Sequence, residues 1–247
     1  MINSLRVRRV SLSIHNWVGL IIAIQFLFWC VGGVIMSVIP IEVVRGEVNI
    51  ADRKMTPLSS TEVARVLEKV GAVDLQRVSI KDLAGQAAIV LEQTDGMKRL
   101  YDAKTSVLLT PINEIMATQI AVYDYQHSSA KTHVPVAVLS AYLLTEEPGD
   151  FRRKLPVWQI TLDDPDGTRI YVSPDTGDVL ARRNDYWRLY DFFWMLHIMD
   201  YETRDDFNNP LIIVASITAS LFVISGVILL YFRFGPQVQR MRARKTN

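Results

Sequence analysis

The stretch NWVGLIIAIQFLFWCVGGVIMSVI, residues 16–39, decides the architecture of this chain. It carries no Asp, Glu, Lys or Arg, and a helix of that length, rising about 1.5 Å per residue, crosses a hydrocarbon layer of about 30 Å. A second charge-free stretch, PLIIVASITASLFVISGVILLYF at 210–232, has the same property. Both read as transmembrane helices. The first is too long for the apolar region of a secretory signal, and Val38, Ile39, Pro40 and Ile41 offer no small-residue cleavage site.

Charge sets the expected orientation. Arg6, Arg8 and Arg9 precede the first helix, and Arg233, Arg240, Arg242, Arg244 and Lys245 follow the second. Between them, 19 basic residues stand against all 26 acidic ones, a net charge of −7. Basic flanks stay on the cytoplasmic side and a long acidic loop translocates readily, which places both termini in the cytoplasm of a bacterial cell and the central domain on the periplasmic side of the inner membrane. Cys30, the only cysteine, falls within the first helix, so the domain has neither an intrachain disulfide nor a cysteine metal cluster to hold it. Its stability has to come from its own core, which a segment of this size can supply.

That domain reads as α+β. Apolar residues at Val63, Val66, Leu67 and Val70 form one face of a short helix, with Ser or Thr as its cap and Gly71 as its stop. Strand-like alternation follows at Val78 and Ile80, at 87–91 and at 99–102, with a turn at Asp95-Gly96. Residues 113–127 read as another helix, and 128–150 as a loop broken by Pro135, Pro148 and Gly149. The apolar string VPVAVLSAYLL within that loop is either a buried part of the core or a surface for the membrane or a partner. A cleaner strand (155–162), an Asp166-Gly167 turn, a strand (168–172) and the loop 173–178 come next. Setting Tyr101 against Tyr171 aligns GMKRLYDAKTSVLLT with GTRIYVSPDTGDVLA at an offset of seventy residues, the mark of a duplicated helix-plus-hairpin unit.

The segment LPVWQITLDDPDGTRIYVSPDTGDVLARRN, 155–184, closely resembles a PepSY module, with its L-P-x-aromatic strand, D-G turn, I-Y-V strand and D-x-x-T-G-x-V-L hairpin. SIHNWVGLIIAIQFLFWCVGGVIM, with His15, Trp17 and Gly19, is similar to the opening helix of PepSY-associated transmembrane proteins. LHIMDY and ISGVILLYF match the family pattern at the second helix. The resemblance implies two transmembrane helices flanking an exported domain of two PepSY-like helix-plus-antiparallel-sheet repeats. The expected organisation is a cytoplasmic N-terminus (1–15), a first transmembrane helix (16–40), a first PepSY-like repeat (41–112), a connecting helix and loop (113–150), a second PepSY module (151–185), an amphipathic interfacial helix and loop (186–209), a second transmembrane helix (210–232) and a basic cytoplasmic tail (233–247).

Some members of that family are b-haem proteins that pass electrons across the inner membrane, ferric-siderophore reductases among them. The resemblance therefore implies haem b, a haem-dependent transmembrane oxidoreductase if the chain is an enzyme, and a ferric chelate as acceptor. The alternative is a non-redox, membrane-anchored PepSY module that binds a partner protein or serves as an accessory subunit of a larger membrane complex.

Four histidines bear on this: His15, His127, His133 and His197. An interfacial histidine such as His15 can simply bond water or headgroups, and the six aromatic residues over 186–194 before His197 can be an anchoring belt. As haem-iron ligands, His15 and His197 sit on opposite faces of the membrane and cannot share one iron. Each haem then needs a further ligand, from a second copy in a homodimer, from a partner membrane subunit or, on the outer face, from His127 or His133. Gly19, Gly32, Gly33, Ser225 and Gly226 permit close helix approach. No nucleotide-binding glycine loop, HExxH or nucleophile elbow is present, and nothing points to a nucleic acid. The acidic residues Asp163, Asp164 and Asp166 read as a hairpin tip rather than a cation site.

Overall fold

The computed structural model describes residues 4–51, 57–125 and 136–245. In chain order these form α1 (Ser4–Val38), α2 (Ile41–Val44), a 3-10 turn (Glu47–Asn49), α3 (Ser60–Val70), β1 (Leu75–Leu83), β2 (Gln86–Gln93), β3 (Lys98–Asp102), α4 (Glu114–Asp124), β4 (Val138–Leu144), β5 (Val157–Leu162), β6 (Arg169–Val172), β7 (Val179–Arg183), α5 (Asp185–Ile198) and α6 (Pro210–Lys245). Two compact units result, one of 1–38 with 190–247 and the other of 39–189.

In the helical unit, α1 and α6 pack together along their length. Both are long and apolar enough to cross a membrane, and both expose most of their large apolar side chains, as helices bathed in lipid do. Pro210 begins α6 where a missing N–H costs nothing, and the Asn209 side chain accepts from the Ile212 N–H at 3.0 Å to cap it.

The domain is α+β with two antiparallel sheets, ordered β1-β2-β3 and β4-β5-β6-β7. Alternation in β2 buries both of its faces. Ala87, Ile89 and Leu91 pack under Val66 of α3, while Ala88 and Val90 join Leu100 in a core shared with α4 and with Ile160, Leu162, Ile170 and Val172 of the second sheet. Burying a side chain such as Ile89 or Leu91 stabilises by roughly 2 kcal/mol. Ser59 and Glu62 form a reciprocal capping box on α3, and Asn113 caps α4.

The internal repeat is visible in the strand pairing. Ile89 opposes Tyr101, Val90 opposes Leu100 and Leu91 opposes Arg99; seventy residues on, Gln159 opposes Tyr171, Ile160 opposes Ile170 and Thr161 opposes Arg169. The helices do not follow the same rule. α3 covers the outer face of its sheet, whereas α4 lies in the core that the two sheets share.

One element differs from the sequence reading. Within the apolar string, Val138–Leu144 is a strand, β4, that pairs with β5 and forms the edge of the second sheet. A bulge between Val138 and Ser140 interrupts its alternation, which is why period-two reading passes over it.

The loop 173–178 clasps the first repeat. Lys81 donates to the Thr176 carbonyl at 2.9 Å and pairs with Asp178, Thr110 donates to the Asp175 carbonyl at 2.8 Å, and the Ile112 N–H reaches the Pro174 carbonyl at 2.8 Å. Gly177 has no room for a side chain, since a Cβ there would stand 2.6 Å from Leu83 Cδ1. Burial raises the Asp178 carboxyl, but the hydrogen bonds from Lys81 and Thr176 outweigh it and hold the group below its ordinary value.

Candidate functional site

His15 lies on α1 with its ring stacked on Phe222 of α6, the centroids 4.3 Å apart and the planes 13° from parallel. Its Nδ1 stands 3.2 Å from Ser225 Oγ and 3.4 Å from the Phe222 carbonyl. Ser225 donates its one proton to that same carbonyl at 2.7 Å, so its oxygen is left to accept. The arrangement therefore favours the tautomer with the proton on Nδ1, which leaves the lone pair on Nε2. An imidazole whose second nitrogen is engaged in this way is oriented as metal-binding histidines are.

The crossing depends on small residues. A Cβ at Gly226 would stand 3.2 Å from His15 Cε1, and one at Gly19 would stand 2.7 Å from Phe222 Cε2. The small side chain of Ser225 is buried at the same crossing. These residues serve packing inside the chain, as does Gly32, which faces Phe193. Of the four glycines among the five small residues, only at Gly33 would a Cβ meet nothing within 4 Å among the described residues, so their count says little about a second copy.

His197 occupies the last turn of α5, a helix whose C-terminal part packs on α1. Gln25 donates to the Leu196 carbonyl at 2.9 Å, Trp29 to the His197 carbonyl at 2.8 Å, and Asn209 to the Ile198 carbonyl at 2.9 Å. Three carbonyls that a helix end leaves without a partner are thus met by side chains. The imidazole centroid lies 6.4 Å from that of Trp194, with the planes 9° from parallel, and 6.3 Å from that of Trp29, which is tilted by 53°. Its Nδ1 is buried and has no hydrogen-bond partner among the described residues.

The loop after α5 is ordered around Asp200, which accepts from the N–H groups of Glu202, Thr203, Asp205 and Asp206 and from the Thr203 hydroxyl. The Thr203 hydrogen bond, followed by those backbone donors, holds the Asp200 carboxyl well below its ordinary value. Arg204, from this loop, pairs with the buried Asp191 of α5 and offers its carbonyl to Trp194 Nε1 at 3.2 Å.

His15 and Trp29 are fourteen residues apart on α1, about 21 Å along the axis, and Trp29 touches His197. The two predicted ligands are therefore nearer than a full membrane thickness yet far beyond the reach of one iron. His127 and His133 lie outside the described residues. The acidic hairpin tip has a structural use, since Asp164 accepts from the Thr168 N–H, the Thr168 hydroxyl and the Tyr125 hydroxyl.

The family model described as PepSY-associated TM region matches residues 12–247. The chain belongs to that family. It is a membrane protein of the PepSY-associated class, and the match takes in both long helices and the whole domain between them. No curated protein and no solved structure matches it. Within this PepSY-associated protein, Gln25, Trp29 and Phe222 are the residues that sequence reading misses, and Ser225, read there only as a small residue, proves to be a partner of His15. Gln25 carried a signal of its own, being an amide deep within a charge-free apolar run.

Proposed function

We propose that this chain is a haem b protein that passes electrons across the bacterial inner membrane, with both termini cytoplasmic and the PepSY domain periplasmic. The observation that carries the reading is the His15–Ser225–Phe222 arrangement, which presents Nε2 as a base and fixes the ring. The basic flanks and the acidic domain support the orientation. His197, walled by Trp29 and Trp194, is the candidate ligand at the second site.

Bound haem would supply the one-electron chemistry, and this chain supplies burial, orientation and ligand basicity. Because His15 and His197 cannot share an iron, each site takes its second ligand from elsewhere. A homodimer is the simplest source, and a partner membrane subunit is the other. The acceptor that fits the reading is a ferric chelate at the periplasmic face. Its reduction weakens the hold of hard oxygen ligands on the iron.

One observation favours the non-redox alternative. The loop 173–178, part of the module that most closely resembles PepSY, is used to hold the two repeats together. A domain so built suits a membrane-anchored binding module as well as a haem cover.

The deciding measurement is the visible spectrum of the detergent-purified protein, oxidised and dithionite-reduced. Sharp reduced b-type bands are expected, diminished in His15→Ala and in His197→Ala. Ser225→Ala should keep the fold but weaken haem retention about 10- to 100-fold, because the imidazole loses its orienting partner. A colourless wild type, expressed with ample haem, overturns the redox reading and leaves the anchored module.

A further inference from the structure

Three sheet edges are guarded. β1 carries Arg77, Lys81 and Asp82, β7 carries Arg182 and Arg183, and β3 is covered on its outer side by residues 107–109, which bond Leu100 and Asp102. Charges and covering segments of this kind keep an edge from pairing with another chain. β4 is different. Its sequence, VLSAYLL, has no charged residue and no proline, it forms the edge of its sheet, and it leaves Leu139, Tyr142 and Leu143 exposed at 65%, 61% and 46%.

The strand is also complementary to itself. Turned antiparallel about Ala141, it sets Val138 against Leu144 and Leu139 against Leu143, apolar beside apolar, with Ser140 against Tyr142. Two copies anchored in one bilayer hold any given segment at equal height, and a segment that runs across a two-fold axis meets its own copy in the opposite direction. A soluble partner has no such restriction and would give no reason for a strand that matches its own reverse.

We propose that β4 is the contact strand of a two-fold homodimer, pairing antiparallel with β4 of a second copy about Ala141 and joining two four-stranded sheets into one of eight. This inference rests on the dimer in the reading above and is independent of haem. Backbone groups along the β4 edge that no described strand pairs with supply the attraction, and the uncharged side chains permit the approach.

The test is oxidative crosslinking in native membranes, using the full chain in a Cys30→Ser background. With Ala141→Cys, copper-phenanthroline should convert most of the protein to a disulfide-linked dimer, since directly opposed Cβ atoms lie within reach of such a bond. Ser79→Cys, on the charged edge β1, should stay monomeric. Adding Leu143→Lys to the Ala141→Cys protein should lower the dimer at least tenfold, while its thermal melt stays that of the parent. The proposal is overturned by no dimer at Ala141, by equal dimer at Ser79, or by a dimer indifferent to Leu143→Lys. Light-scattering mass of the otherwise unaltered protein gives a second reading: a dimer that persists in Leu143→Lys belongs to the helices and sinks the strand contact, and a monomer that instead binds lipid vesicles through β4 sinks it equally. The reduced spectrum of the same preparations tests the haem reading separately, so either idea can fail alone.

Discussion

Asp150 in the domain and His197 in the helical unit are both polar groups held among apolar and aromatic neighbours, and the chain treats them in opposite ways. Asp150 is nearly enclosed, and both of its carboxylate oxygens and its backbone carbonyl are used. Tyr171 donates to one oxygen at 2.5 Å, Arg169 to the other at 3.0 Å, and Arg183 to the backbone carbonyl at 2.9 Å. Gln159 completes the set by donating to the Tyr171 oxygen at 2.7 Å. Burial, and then the bond to Asp150, push the Tyr171 phenol above its ordinary value and keep it a donor. Around His197 the neighbouring carbonyls are met one by one, yet Nδ1 of the ring is left without a partner. A closed polar network specifies a fold, whereas a buried ring nitrogen without a partner among the described residues adds nothing to it.

The largest expected effect breaks the closed side. Asp150→Ala removes the acceptor that Tyr171 and Arg169 share, and with Arg169 partly exposed the loss should be about 3 kcal/mol. Urea unfolding of the full protein, followed by tryptophan fluorescence, reads it directly. A loss below about 1 kcal/mol would mean that the network is an ornament of the surface rather than part of the core. The b-type absorbance that the redox proposal expects should not change, because the network stands in the domain and touches neither candidate ligand.

A smaller effect is expected where the helical unit does close its bonds. Gln25→Leu keeps the approximate volume and leaves the Leu196 carbonyl without a donor, at a cost of about 2 kcal/mol. The thermal midpoint in detergent should fall while the mass and the paired helices are retained. No shift would show that the carbonyl finds another partner, and the contrast with Asp150 would lose one of its supports.

Much of this was legible in the sequence, and the part that was not follows a physical pattern. The spanning helices are visible because a run without charges has few other uses, and the hairpins because Asp-Gly turns and alternating residues fix their register. The equal pairing of Ile89 with Tyr101 and of Gln159 with Tyr171 is what the seventy-residue offset reflects. β4 was hidden, since its bulge breaks the alternation and an edge strand has neighbours on one side only. At the site, sequence marks His15 and His197 by identity alone. What surrounds them comes from distant parts of the chain: Phe222 and Ser225 for the one, Gln25 and Trp29 for the other. No local pattern joins such residues.

The smallest stability change should come from the open side, and it is the most telling. An imidazole whose buried nitrogen lacks a partner contributes little that a ring of similar shape cannot, and it carries a desolvation cost of roughly 1 kcal/mol or more. His197→Phe keeps an aromatic ring between Trp29 and Trp194 and removes that nitrogen. The haem-free protein should therefore melt at the same temperature or slightly higher, whereas the reduced b-type absorbance should fall. If the melt drops by several degrees instead, the ring nitrogens of His197 support the fold, and the difference between the two regions is one of geometry rather than of purpose.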